Sequence, residues 1–384
     1  MPILFPSRFD TVIIGARCAG AATALHLARG GQRVLVVDRD RPGTDTLSTH
    51  ALMRLGVSLL DEAGVLPALQ RAGTPAVRRT VFTYGGARLP VDVSPRGRAE
   101  GLYAPRRYVL DSVLADAADA AGATFAYQTA LHGLTRGADG RVTGVELRLP
   151  DGSLQSVACG TVIGADGRQS AVAEAVNARV LRRSRHQTAS IYTYVAAQGL
   201  QGYEWLYGSG IMAGLIPTNG GQACAFASMP EDALRRLGGQ DAYRALREVF
   251  DRCGAPEDFL PDVPAERIRR FAGARGHIRQ AWGAGWALVG DAGYFKDPAT
   301  AHGITDALRD AKLLSEALLS GGTAALGGYQ ETRDALSTEF FEVTDKIAAL
   351  DWSLDEVQHL HRELHRLMRI EQEALLGTPR QHAA

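Results

Sequence analysis

The first forty residues alternate between apolar runs and small-residue turns in a way that predicts a β-α-β unit. Val12-Ile13-Ile14 is β-branched and apolar, Gly15-Ala-Arg-Cys-Ala-Gly20 is a turn, Ala21 to Arg29 is helix-forming, and Val34-Leu35-Val36-Val37 is a second strand. Further on, a helix is expected over Ala51 to Ala63, strands at Val81–Tyr84, Arg88–Val91 and Gly101–Tyr103, and a helix over Arg106 to Ala118. Alternating runs at Thr124–Thr129, Val142–Leu149 and Ser153–Cys159, separated by Asp139-Gly140 and Asp151-Gly152, predict a small antiparallel meander. It leads to a strand at Thr161–Ile163, a small-residue turn and a helix beginning near Ser170.

Four strands are predicted at Ala189–Ala196, Tyr203–Tyr207, Ile211–Ile216 and Gln222–Ala227, followed by outer amphipathic helices over Glu231–Leu237 and Ala242–Asp251. Trp205, Tyr207 and Met212 are either cavity-lining groups or ordinary core. A last apolar run, Trp286–Val289, stops at Gly290-Asp291, and a helix pattern resumes near Gly303. Helices then dominate, at Ile304–Leu319, Ala324–Leu350 and Leu354–Leu375. In the last of these, apolar residues recur at 354, 357, 360, 364, 367 and 368. That face is expected to pack on the nucleotide-binding part, with a dimer contact or a lid as alternatives.

Chemistry enters at the turns. Gly15 permits a tight turn, Gly20 permits close helix-strand packing, and Asp38, 23 positions after Gly15, is placed to accept hydrogen bonds from ribose hydroxyls. Arg17 occupies the position where the dinucleotide fingerprint carries its middle glycine. Its Cβ is expected to be tolerated with helical backbone there, the guanidinium lying outside the turn near the cofactor or an acidic neighbour. A polar loop from Arg39 ends at His50, which is either a general base or substrate donor, or a cap or core residue. Arginines at the head of the 106–118 helix oppose the helix dipole, so at least one is expected to have an anionic partner. Arg107 is the candidate for the cofactor pocket, with a structural salt bridge as the alternative. Asp166 and Gly167 set a turn suited to a cofactor or a nicotinamide, and Arg168 is placed to meet phosphate.

Composition narrows the field. The 384 residues carry 42 basic and 42 acidic side chains, which gives no reason to expect nucleic acid or an anionic membrane as partner. Only three lysines occur, at 296, 312 and 346. The four cysteines are scattered without metal-ligand spacing, so no metal site is expected. With no signal-like segment and no long apolar run, a cytoplasmic protein is expected, monomeric or homodimeric and without stable membrane insertion.

Together, Gly15-Ala-Arg-Cys-Ala-Gly20 with Asp38, Gly164-Ala-Asp-Gly167, and Gly290-Asp291 with Pro298 and Gly303 resemble the p-hydroxybenzoate-hydroxylase-like FAD-dependent oxidoreductases. That class includes aromatic monooxygenases, flavin halogenases and geranylgeranyl reductases. The resemblance covers about residues 8 to 320 and implies an α/β fold. A Rossmann-like FAD-binding domain of glutathione-reductase type (1–80, 105–180 and 276–320) would be interleaved with an antiparallel-sheet substrate domain (81–104 and 181–275), with C-terminal helices over 321–384. It implies FAD as cofactor and NAD(P)H as transient reductant. Gly15, Arg17, Ala19, Gly20, Asp38 and Arg39 would serve the ADP half, Arg107 the cofactor chain, and Asp166 and Gly167 both FAD and the nicotinamide. Asp291 would face the ribityl or pyrophosphate side, and Pro298, Gly303 and Ile304 the isoalloxazine, where a helix N-terminus stabilises reduced flavin.

Two departures refine the reaction. No lysine precedes Lys296 and no Trp-x-Trp-x-Ile-Pro motif exists, which argues against halogenation, and Ala292-Gly-Tyr294 replaces the Ala-His of many phenol hydroxylases. The expected activity is hydroxylation or epoxidation of an electron-rich aromatic, or a polyene-like, small molecule, through oxygen addition at flavin C4a. The alternative is FAD-dependent reduction of an activated carbon-carbon double bond. His50, Tyr294 and His302 are the catalytic candidates.

Overall fold

The computed structural model describes residues 6–46, 48–197, 199–200, 202–237 and 241–377. Its first strand, Arg8–Ile14, lies in the middle of a mostly parallel sheet between Val34–Val37 and Leu154–Gly164. Thr124–Ala126 adds in parallel outside Val34–Val37, and Trp286–Leu288 adds in parallel outside Leu154–Gly164. Helices Cys18–Arg29 and Gly303–Gly321 pack together on one side, burying Ala21, Leu25, Ala311 and Leu314. Apolar strands buried on both faces are what a parallel sheet covered by crossovers requires.

The meander differs from expectation in a way that explains its purpose. Its strands are Ala130–Arg136, Val142–Arg148 and Leu154–Gly164, whereas Thr124–Ala126 belongs to the parallel sheet. Leu154–Gly164 is one eleven-residue strand, antiparallel to Val142–Arg148 and parallel to Arg8–Ile14. The meander therefore runs directly into the central sheet and delivers Gly164-Ala-Asp166 beside Gly15.

A second sheet has seven strands in the order Arg269–Phe271, Ala189–Ala196, Gln222–Met229, Ile211–Pro217, Tyr203–Gly208, Arg79–Tyr84 and Ala87–Asp92. Side chains alternate across it. Ala223, Ala225 and Ala227 face helix Ala242–Arg252, while Cys224 and Phe226 join Tyr192, Tyr194, Trp205 and Tyr207 on the other face. Leu102 makes only a single bridge to Val77 in place of the strand expected at 101–103. The helix expected from Ala51 begins at Arg54, because Met53 is extended and the Leu52 amide is drawn to the Tyr103 carbonyl at 3.0 Å.

Helices Leu326–Ala348 and Leu354–Leu376 complete the molecule. Ser353 and Glu356 form a reciprocal capping box at the start of the second. Val357, Leu364 and Leu367 pack on the aromatic face of the seven-stranded sheet, so the apolar stripe of this helix covers the sheet more than the nucleotide-binding part.

Candidate functional site

Parallel strands put their carboxyl ends at one edge, where ligands of open α/β sheets bind. Gly15, Asp38, Ala165-Asp166 and Gly290-Asp291 all follow such strands and so meet there. Gly15 has φ 108°, and a Cβ on Gly20 would lie 1.8 Å from the Gly15 carbonyl oxygen. The turn therefore needs both glycines for its own geometry. A Cβ on Gly290 would come within 2.9 Å of the Ala19 Cβ, so the first and last signals touch.

Asp38 is held by its own backbone surroundings. Its Oδ2 accepts from the Ala16 amide and its Oδ1 from the Asp40 amide, both at 2.8 Å. Each oxygen keeps a lone pair for a hydroxyl in the cleft that Asp38 lines with Ala16, Thr44, Asp111 and Tyr127. Arg17 is extended (φ −82°, ψ −174°) and not helical, and its guanidinium turns outward to Asp40 at 3.0 Å. One buried nitrogen of Arg17 has no partner. Arg39 is exposed.

The adjacent arginines have separate surroundings. Arg107 donates to Asp111 one turn on, at 3.1 Å, and its charge opposes the upward pull of burial at Asp291, whose carboxyl still rises to about 6. Arg106 faces the second sheet. It donates to Glu266 (2.9 Å) and Asp45 (3.1 Å), and its guanidinium carbon sits 3.6 Å over the Tyr194 ring. Tyr194 is hydrogen-bonded to His50 Nε2, while His50 Nδ1 is buried without a partner. Burial lowers the His50 pKa to about 3, with Asp45 opposing, so the imidazole is neutral. Its φ of 67° places a bulky residue in the left-handed region.

Asp166 spends its carboxylate on the turn, accepting from Ser170 Oγ (2.5 Å) and the Val172 amide (3.2 Å), and burial raises its pKa. Gly167, at φ 79°, has open space where a Cβ would be, and Arg168 lies 5.2 Å from the Phe271 ring centre.

The last loop is pinned by Asp297, which accepts from the Thr188 amide and hydroxyl (2.7 and 2.8 Å) and from the Ala299 amide (2.9 Å). Pro298 opens its short turn, Ala301 takes φ 49°, and Gly303 starts a nineteen-residue helix with nothing within 4 Å of its Cβ position. Intrahelical bonding begins with the Asp306 amide to the His302 carbonyl, so the amides of Gly303, Ile304 and Thr305 precede it.

Beneath this loop lies a buried charge network that apolar periodicity alone does not reveal. Lys296 pairs with Asp306, and Arg309 donates to Asp310 (2.7 Å) and Glu371 (2.7 Å). Glu371 also meets His302 Nε2 at 2.9 Å. Tyr294 is fully buried beside it, its hydroxyl 3.5 Å from the Ser337 carbonyl. A signal did exist: Glu371 continues the apolar series 360, 364, 367, and Arg309 and Asp310 interrupt the apolar face of Leu308, Ala311 and Leu314. His302, Asp306 and Glu371 place possible ligand atoms within 4.8 Å of one another, but Lys296 and Arg309 already supply the positive charge there.

These features fit FAD. The tight turn of Gly15 and Gly20 suits a phosphate, Asp38 suits a ribose, and the open Gly303 leads into a helix N-terminus of the kind that favours an anionic flavin edge. Among the described residues no helix is long and apolar enough to cross a membrane. The FAD binding domain family matches residues 8–343. Menaquinone reductase of Mycolicibacterium smegmatis is 28% identical over 352 residues, covering 82% of this chain and 78% of that protein. Kynurenine 3-monooxygenase of Salinispora arenicola is 26% identical over 387 residues, covering 90% and 82%. The crystal structure of PqsL, a probable FAD-dependent monooxygenase from Pseudomonas aeruginosa, superposes with a TM-score of 0.75 at 20% identity, covering 94% of this chain and 100% of that one. With the three glycine-and-acid turns gathered at one sheet edge, the chain belongs to the FAD binding domain family and is an FAD-dependent oxidoreductase.

Proposed function

We propose that the protein is an NAD(P)H-dependent monooxygenase of an electron-rich aromatic small molecule. The observation that carries this reading is the junction of the loop with the second sheet. Ala299 and Ala301 pack against a buried aromatic face containing Tyr192, Tyr194, Tyr203, Trp205 and Phe226. Aromatic side chains beside the loop that leads into a helix N-terminus suit contact with a planar ring held at the flavin.

Bound FAD supplies the redox chemistry, taking a hydride from NAD(P)H and transferring one oxygen atom of O2 to the substrate, the other leaving as water. The chain's own residues bind and orient. Gly15, Gly20 and Asp38 would hold the ADP half, and the amides of Gly303 and Ile304, at the helix N-terminus, would serve the flavin ring. His50 Nε2 is paired with the Tyr194 hydroxyl, which leaves the buried Nδ1 as the ring nitrogen open to a polar group of the substrate. With its pKa lowered by burial to about 3, His50 is a positioning group and a poor proton abstractor. Arg106 fixes the Tyr194 ring from above. Tyr294, enclosed by Lys296 and Arg309, supports the loop from below.

A second reading, reduction of an activated double bond, is favoured by the relative named menaquinone reductase. Incubation with aromatic candidates, NAD(P)H and isotopically labelled O2 separates the two. Substrate-dependent NAD(P)H oxidation with one labelled oxygen in the product supports the monooxygenase. A saturated product formed without O2 overturns it in favour of the reductase.

A further inference from the structure

Three elements meet at His302. It immediately precedes Gly303, its ring lies tilted against Phe340 with centroids 4.5 Å apart, and its Nε2 contacts Glu371 of the C-terminal helix at 2.9 Å. Both side chains are 1% exposed. The other ring nitrogen, Nδ1, is buried without a partner. One residue away, Gly303 is exposed and opens onto free space.

A carboxylate on one imidazole nitrogen fixes both the ring orientation and the tautomer. Here Nε2–H donates to Glu371, which leaves the Nδ1 lone pair available. Arg309 holds the second Glu371 oxygen at 2.7 Å, and against the upward pull of burial this charge and the His302 hydrogen bond keep the carboxyl below its ordinary range, so it stays ionised. The charged groups around the ring come from every packed element. Lys296 comes from the loop, Asp306, Arg309 and Asp310 from the helix that His302 begins, Arg333 from the helix of Phe340, and Glu371 from the last helix. Arg333 is paired with Asp334. Among the rest, two fixed cations (Lys296, Arg309) face three carboxylates (Asp306, Asp310, Glu371), which leaves room for one more positive charge.

We propose that Glu371 is a positioning residue for a redox-linked proton site at His302 Nδ1. When bound FAD takes up two electrons as a hydride from a nicotinamide, Nδ1 takes one proton from water, entering on the Gly303 side. Glu371 lies beyond residues 8–343, so this device belongs to the C-terminal helix of this chain and not to the part matched by the family. The inference rests on FAD binding and holds whether the electrons pass on to oxygen or to a double bond.

The test is the FAD midpoint potential of the loaded protein, measured anaerobically with dyes from pH 5.5 to 8.5 and without substrate. One extra proton per two electrons adds about 30 mV per pH unit to the slope, the equivalent of a tenfold change in equilibrium constant. The wild type is expected to show a break where this contribution ends. Glu371→Gln, which keeps an acceptor for Arg309, is expected to move the break by a pH unit or more. His302→Gln, which leaves Glu371 paired with Arg309, is expected to abolish it. Flavin absorption and urea unfolding of each variant report any purely structural effect. Curves that superimpose, or that are displaced in parallel, overturn the proposal. A break that moves in Glu371→Gln and vanishes in His302→Gln, in an enzyme that makes a saturated product without O2, would sink the monooxygenase reading and leave this one standing.

Discussion

The turn at Gly15–Gly20 and the network joining Lys296 to Glu371 both organise charge around loops that follow parallel strands, by opposite means. At the turn the backbone does the work: the Ala16 and Asp40 amides orient Asp38, and two glycines keep side chains out of the way. In the network the side chains do it, with Lys296, His302, Asp306, Arg309, Asp310 and Glu371 desolvated together. A backbone device is local and sterically strict. A buried ionic device spans distant chain segments and is sensitive to loss of any partner, because the group left behind is a buried unpaired charge.

The contrast can be broken most severely at Gly20. Gly20→Val puts a Cβ 1.8 Å from the Gly15 carbonyl oxygen and is expected to cost beyond about 5 kcal/mol, leaving no folded, flavin-binding protein. Soluble yellow protein from this variant would contradict the steric account. Next in size, Arg309→Met strands Asp310 and Glu371 and is expected to cost about 3–5 kcal/mol in urea unfolding. A loss below about 1 kcal/mol would mean that the network is not energetically coupled.

Asp38→Ala removes charge-assisted bonds of about 1.5–3 kcal/mol and is expected to weaken FAD binding roughly 10- to 150-fold with little change in folding. Fluorescence titration of the apoprotein measures it, and unchanged affinity would remove Asp38 from the ribose site. The smallest effect concerns pH. The pKa of His50 falls on folding from 6.5 to about 3, so the unfolded chain binds the proton more readily. Its contribution to stability is complete above pH 6.5 and declines as pH falls toward 3, by about 2 kcal/mol at pH 5. Burial raises Asp291 and Asp297 to about 6, which acts with the opposite sign, stability declining as pH rises from about 4 to 6. His50→Gln is therefore expected to show a flatter loss of stability between pH 6.5 and 4, and an unchanged slope would show that His50 is not the group being titrated.

What the sequence disclosed follows the same division. Gly15, Gly20, Asp38, Gly290 and Gly303 were legible because a turn, a strand end and a helix start leave local marks at fixed spacing. The partnership of His50 with Tyr194, 144 positions away, left no such mark, and neither did that of His302 with Glu371, 69 positions away. Arg107 was singled out from a helix-dipole argument that applied equally to Arg106, and only the fold separates the one beside Asp111 from the one over Tyr194. The meander was misjudged at its first strand because alternation alone does not distinguish an edge of the parallel sheet from the start of a hairpin. Glu371 is the instructive case: a single carboxylate at the next step of an apolar series marks a buried ion pair, not a solvent-facing turn.

The central claim is that one FAD lies across the sheet edge, held by the backbone turn and tuned by the side-chain network. Titration of apoprotein with FAD, followed by flavin absorption in wild type, Asp38→Ala and Glu371→Gln, tests it most directly. The account predicts saturation at one FAD per chain in the wild type, markedly weakened binding in Asp38→Ala, and near wild-type binding in Glu371→Gln. A wild-type protein that stays colourless with added FAD, or a Glu371→Gln variant that loses FAD as severely as Asp38→Ala, would contradict it.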